Sequence, residues 1–311
     1  MFQPLLAMLF AAFALPAFAA DWKPASAPLM TRWGKQITAD KTPWAEYPRP
    51  QLVRKEWANL NGLWDYAIRP KGEKKPTKWD GQILVPFCAE SALSGVGKHP
   101  TEKDELWYRR DVDASQWKGR RVLLHFEAVD WEATVWVNGK ELGTHRGMHD
   151  PFTFDVTDAL KDGKGELVVR VWDPTDTGSQ PLGKQIRNPH GIWYTPVTGI
   201  WQTVWMEPLN PTAHVTGVNV VTDFDKGVVS VQVNASLPVN RVFTRVELLD
   251  GDKVVGESSG NGTGHVIQIA SAKHWSPDSP HLYGLRATIA NKYLIRGLFF
   301  DRYWSARIVD H

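Results

Sequence analysis

Hydrophobic and polar positions alternate in short bursts along this chain. Val122, Leu124, Phe126 and Ala128 share one face of an extended segment, and Ala133, Val135 and Val137 share one face of the next. Asn138-Gly139 follows, the dipeptide that best tolerates the two positive φ angles of a type I′ turn. Residues 122–150 are therefore expected to form antiparallel sheet with one face in a core. Similar runs at 83–85, 106–112, 167–172 and 202–206 are separated by turn residues, and no sustained helical period competes with them. Short strands with frequent turns predict a jelly-roll β-sandwich.

Asn210-Pro211 marks a change of texture. Beyond it Val229, Val231, Val233 and Ala235 alternate with Ser230, Gln232 and Asn234, and Asp250-Gly251-Asp252 separates two further strand-like runs. Residues 266–269 and 282–289 complete a small antiparallel set of the immunoglobulin-like type. The chain is thus read as all-β: a signal peptide at 1–20, an extended arm at 21–56, a jelly roll at 57–209 and an immunoglobulin-like sandwich at 210–290. Residues 291–311 lack a clean period of two. A final strand of the second sandwich and a shifted or truncated reading frame both fit them.

The signal-peptide reading rests on the apolar run from Leu5 to Ala19, its small-x-small ending and the polar Asp21-Trp22-Lys23 that follows. It predicts export to the periplasm or medium, with no membrane contact after cleavage. The first four residues carry no Lys or Arg, so a misassigned start codon is the alternative.

Composition removes several function classes. A net charge of +2 and the lack of a basic run interleaved with aromatics argue against nucleic acid. The single cysteine, Cys88, sits among Leu84, Val85 and Phe87 and reads as buried filler. Fourteen of the sixteen tryptophans lie between Trp22 and Trp205, so the arm and the first sandwich together hold nearly all the large amphipathic rings. Most must be core, and a minority suits sugar faces. His145, His149 and Asp150 fit no strong metal-ligand spacing. Glu127 is read as strand with a buried partner in Arg109 or Arg110, and neither it nor Asp130 is assigned catalysis. Gly260 to Gly264 lacks a following Lys-Ser/Thr and reads as a turn.

An ordered set of motifs carries a family resemblance. They are Asn61-Gly62-Leu63-Trp64-Asp65, Val85-Pro86-Phe87, Leu106-Trp107-Tyr108-Arg109-Arg110, Val135-Trp136-Val137-Asn138-Gly139-Lys140 and Gly143-Thr144-His145-Arg146-Gly147. Asp150-Pro151-Phe152, Val171-Trp172-Asp173-Pro174, Gly191-Ile192-Trp193 and Gly199-Ile200-Trp201-Gln202 continue the series. With them residues 43–289 resemble the two N-terminal β-domains of glycoside hydrolase family 2, which includes β-galactosidases, β-glucuronidases and β-mannosidases. The resemblance implies a sugar-binding jelly roll, an immunoglobulin-like domain and then a (β/α)8 barrel bearing two catalytic glutamates, the acid/base following an Asn.

Retaining hydrolysis needs two carboxyl groups about 5–5.5 Å apart. The 311 residues leave no room for a barrel of roughly 250 residues after both sandwiches and contain no Asn-Glu dipeptide. The chain alone is therefore expected to be inactive, with no catalytic residue, cofactor or metal of its own. By the same resemblance Asp173 is the candidate substrate-binding residue, an ionised acceptor for sugar hydroxyls on a loop at the rim of the full-length active site. Initiation of an Asp-Pro turn is its alternative role, and Asp176 is a weaker substitute. A β-glycoside is the expected partner. The competing reading is a stand-alone carbohydrate-binding or assembly module, in which the surface left bare by a missing barrel would invite self-association.

Overall fold

The computed structural model describes residues 22–49, 52–291 and 304–306. The signal-peptide assignment lies outside these residues, as does most of the tail. Twelve strands build the first unit. They are β1 (Ala58–Asn59), β2 (Gly62–Pro70), β3 (Gly81–Val85), β4 (Asp104–Asp113), β5 (Arg121–Phe126), β6 (Val129–Asp130), β7 (Glu132–Val137), β8 (Lys140–Arg146), β9 (Phe152–Asp155), β10 (Lys164–Trp172), β11 (Gly199–Ile200) and β12 (Val204–Leu209). A six-stranded sheet, β3-β2-β4-β10-β7-β8, faces a four-stranded sheet, β1-β12-β5-β9, and β11 pairs with β6. Alternation turns Trp64, Leu106, Tyr108, Val135, Leu167 and Val169 inward from the first sheet to meet Val122, Leu124, Phe126, Val204 and Met206 from the second.

The Asn-Gly hairpin forms between β7 and β8, with Asn138 at φ 50° and Gly139 at φ 77°. Asn138 does more than turn the chain. Its amide donates to the carbonyls of Ala159 and Lys164 and accepts from Glu166 N–H, pinning the turn to the start of β10. The structure corrects the reading of residues 122–137 as one sheet. β5 pairs with β9 and β12, whereas β7 pairs with β8 and β10, so the two runs lie in opposite sheets. Both apolar faces do enter the same core. Period two specifies which side chains point inward, and a sandwich has two inner faces.

The outer face of the six-stranded sheet is not simply polar. Trp107 stacks on Trp136 with centroids 5.8 Å apart, Arg170 lies 5.6 Å from the Trp136 centroid, and Arg109 lies 4.8 Å from that of Trp79. Part of the tryptophan excess is therefore spent on a solvent-side layer of indoles under guanidinium groups.

A second core forms between sheets β13-β14-β17 and β16-β15-β18-β19. These strands are β13 (Val215–Asp223), β14 (Val228–Ala235), β15 (Val242–Asp250), β16 (Lys253–Asn261), β17 (Gly264–Gln268), β18 (Tyr283–Asn291) and β19 (Trp304–Ala306). Val229, Val231 and Val233 all point into this core, and Gly251 takes φ 59° in the β15–β16 turn. Backbone pairing of β19 with residues 283–285 makes it an edge strand.

The arm binds both units. Ala25 N–H donates to Ala92 O, Trp44 packs on Phe87, and Asn61 reaches Pro43 O. At the joint, Arg54 donates to Glu207 Oε1 at 2.7 Å and to Val215 O at 2.5 Å. Tyr47 donates to Glu207 Oε2, and His125 Nε2 stands 3.2 Å from Glu207 Oε1. Arg49 can only donate, so its contact with His125 Nδ1 makes that nitrogen the acceptor and leaves the ring proton on Nε2.

Glu207 is 1 % exposed and Arg54 8 %, so Glu207→Ala removes one partner of a buried ion pair and should cost about 3–5 kcal/mol in chemical denaturation. Joint replacement of both by leucine should cost much less. Acid acts in the same direction. Burial pushes Glu207 up, but His125 and Arg54 outweigh it and hold its pKa below the ordinary value. Burial lowers that of His125. Both contributions are present above the unfolded pKa values and are lost as pH falls, so thermal stability should drop on acidification less steeply in the double-leucine variant.

Candidate functional site

At one end of the first sandwich, β10 runs out into a long loop that returns at β11. Asp173 begins this loop, and its side chain, 4 % exposed, organises the entry. Oδ1 accepts Thr175 N–H at 2.7 Å, the Asx-type contact of an Asp-Pro turn. Oδ2 accepts the Thr198 hydroxyl at 2.9 Å from the returning end. One carboxylate thus closes a loop of some two dozen residues, which relieves part of the loop-closure entropy.

Two further carboxyl groups gather around it. Glu90, from the turn after β3, accepts Thr198 N–H at 2.9 Å through Oε2, while its Oε1 is buried with no hydrogen-bond partner among the described residues. Asp130, from β6, accepts from the Gln185 amide at 3.0 Å, and Gln185 Oε1 accepts Val197 N–H. Burial, and then the charge of Asp173, pushes Asp130 up to about 7. Burial outweighs the Thr198 hydrogen bonds at Glu90 and raises it to about 7, with Asp173 adding to the rise. Burial likewise raises Asp173 against its hydrogen bonds from Thr175 and Thr198. Carboxyl groups displaced by burial and a neighbouring charge cluster at functional sites.

Arg187 locks the outer half of the loop. It pairs with Glu102 at 2.6 Å and Asp176 at 3.1 Å, and donates to Thr177 Oγ and Pro174 O. Asp176 is therefore committed to Arg187. Ile192, Trp193 and Tyr194 stand exposed at the loop's far side. Beside the loop lies a cleft of about 680 Å³ walled by Trp131, Trp172 and residues 177–181.

The other singled-out residues are structural in their contacts. Glu127 does not pair with Arg109 or Arg110. Its Oε1 accepts the Trp205 indole N–H at 2.7 Å, because the chain is crossing between sheets there and the side chain falls on the β12 side. Arg109 pairs with Asp65, and Arg110 donates to the carbonyls of Leu60 and Asn61. His145 stacks on Phe152 and His149 meets the edge of Trp201. Burial, then Glu90, pushes the Cys88 thiol up to about 12, which keeps it protonated at neutral pH. Glu90, Gln185 and Thr198 were not legible as site residues. Glu90 lies in the turn after β3 and Gln185 and Thr198 in the β10–β11 loop, and only the fold brings them to Asp173 and Asp130.

A carboxyl whose folded pKa is raised contributes stability below its unfolded pKa and loses it as pH rises through the folded value. Glu90→Gln should therefore flatten the fall in melting temperature between about pH 5 and pH 8 while changing little at pH 5. An unchanged slope in thermal scans would remove Glu90 from the coupled cluster.

Comparison with known proteins places this geometry. Residues 91–195 match the family model described as the glycosyl hydrolase 2 galactose-binding domain-like. A β-glucuronidase of Paenibacillus borealis is 25 % identical over 279 residues, covering 83 % of this chain and 46 % of that protein. A β-galactosidase of Thermoanaerobacter pseudethanolicus is 28 % identical over 193 residues, covering 58 % of this chain and 25 % of that protein. The crystal structure of Ruminococcus gnavus β-glucuronidase superposes with a TM-score of 0.64 at 20 % identity, covering 82 % of this chain and 45 % of that one. The chain spans less than half the length of these relatives. In sequence motifs and in all-β fold the chain is similar to the N-terminal region of these family 2 enzymes, and residues 91–195 match that family's galactose-binding domain-like model.

Proposed function

We propose that this chain is the non-catalytic N-terminal region of an exported family 2 β-glycosidase of the β-glucuronidase/β-galactosidase class. The hydrolytic carboxyl pair is supplied by a segment outside residues 22–291. The observation that carries the reading is a match covering 83 % of the chain to a protein named for that activity. In this reading the loop opened by Asp173 forms part of the rim of the substrate site. The Oδ1 atom, which holds only Thr175 N–H, retains a lone pair for a sugar hydroxyl. The raised carboxyl groups behind it keep the rim close to neutral toward an incoming glycone.

The chain alone should not hydrolyse 4-nitrophenyl β-D-glucuronide or β-D-galactoside, whereas a protein continuing through the downstream coding sequence should hydrolyse one of them. In that longer protein Asp173→Asn should raise KM about tenfold or more, since a carboxylate–hydroxyl bond is worth roughly 1.5–3 kcal/mol. A longer protein inactive on both glycosides would overturn the assignment. Export predicts a mature N-terminus after Ala19 or Ala20, readable by mass spectrometry of the secreted protein.

A second reading, a carbohydrate-binding module acting by itself, is favoured by one observation: each sandwich closes its own core. Calorimetric titration of the chain with galactosides, glucuronides and mannosides separates the two. Heat at millimolar sugar together with an inactive longer protein would select the module.

A further inference from the structure

The cleft beside the loop has a chemistry of its own. Its volume of about 680 Å³ is within the range of small-ligand sites. Trp172 is fixed there by its indole N–H, which donates to Glu102 O at 2.9 Å. The ammonium of Lys71 lies 3.1 Å from the Trp172 ring centroid. Lys71 has no carboxylate within ion-pair distance among the described residues, whereas the one acid in the cleft wall, Glu102, is neutralised by Arg187 at 2.6 Å. Arg187 is shared between Glu102 and Asp176, so the charges around the cleft balance overall, and Lys71 is the cation presented to its space, held in place by an aromatic face.

Its remaining polar groups are small and oriented. Gln180 donates its amide N–H to Thr175 O, which leaves Oε1 as an acceptor directed toward Gly178. Gly178, at φ 112°, permits that approach, since a Cβ there would lie 2.6 Å from Gln180 Oε1. Ser179 and the half-buried indole of Trp131 line the same space. An aromatic wall, hydroxyl and amide groups, and one unpaired cation together suit a sugar ring carrying an anionic substituent.

We propose that this cleft is a binding subsite for an acidic sugar residue, a uronate or sulfated pyranose, with Lys71 meeting its anion and Trp131 its ring face. The subsite lies beside Asp173, whose carboxylate is not among its lining groups and accepts from Thr175 and Thr198. The choice of a sugar over other anions rests on the reading of the chain as a glycosidase region, and the choice of an acidic one on Lys71.

Titration of the 311-residue chain with glucuronosyl-β-1,4-glucose, cellobiose and a hexaglutamate peptide tests it. The acidic disaccharide should bind about threefold to fivefold more tightly than cellobiose, as expected for a partly exposed ion pair, and the advantage should fade with added salt. Lys71→Met should abolish that advantage, Lys71→Arg should keep it, and Trp131→Ala should weaken both sugars. Equal affinity for the two disaccharides, an unaltered preference in Lys71→Met, or no binding of either sugar would overturn the subsite. Hexaglutamate binding as well as the uronate would reduce the cleft to a general anion patch and overturn it too. The measurement needs no turnover, so an inactive longer protein with intact uronate preference would sink the glycosidase reading and leave the subsite standing.

Discussion

The buried carboxylate of Glu207 is the contact on which the arrangement of the chain depends. It sits on the last strand of the first sandwich and is approached from three directions, by Arg54 and Tyr47 of the arm and by His125 of β5. Arg54 also reaches Val215 at the first strand of the second sandwich. Burying a charge costs several kcal/mol, so such a pair adds little net stability over an apolar substitute. Its effect is on geometry. An ion pair with aligned donors permits one placement of arm and strands, whereas an apolar contact would tolerate many.

That rigidity matters at the opposite end of the first sandwich. The loop between β10 and β11 has little secondary structure of its own, apart from one bridge between Gln185 and Tyr194. It is held by side chains: Asp173 at its entry, Gln185 on Asp130 and Arg187 on Glu102. Each anchor comes from a different strand or turn of the frame. The carboxyl cluster is the cost of this design, because Glu90, Asp130 and Asp173 share one poorly solvated region and the charge of Asp173 raises the proton affinity of the other two. Loops that bind ligands on rigid sandwiches recur for this reason: the frame supplies position and the loop supplies chemistry.

Legibility differed by the range of the interaction involved. The Asn138-Gly139 turn was readable because its cause is local, two residues that accept positive φ between alternating strands. The hairpin at Gly251 was readable for the same reason. The partner of Glu127 was not. Alternation places its side chain outside the core, but nothing local says that Trp205, far along the chain, will lie alongside. The same limit hid Glu90 and Gln185, which are unremarkable in their own segments. The tryptophan excess was visible as a number, while its division between the inner core, the guanidinium-capped outer layer and the Trp131/Trp172 cleft was not.

By itself, then, the sequence determined the strand periodicity, the two sandwiches, the tight turns and the family resemblance, since these follow from side-chain alternation, backbone torsions and ordered motifs. Only the tertiary structure decided that the runs at 122–126 and 132–137 lie in opposite sheets and that two further carboxyl groups converge on Asp173. It alone decided, too, that Lys71 stands over Trp172 at an open cleft. The physical reason is that a period of two tells each side chain which way to point. What it meets there depends on strands that arrive from a hundred residues away, and desolvation and charge act only once they have arrived.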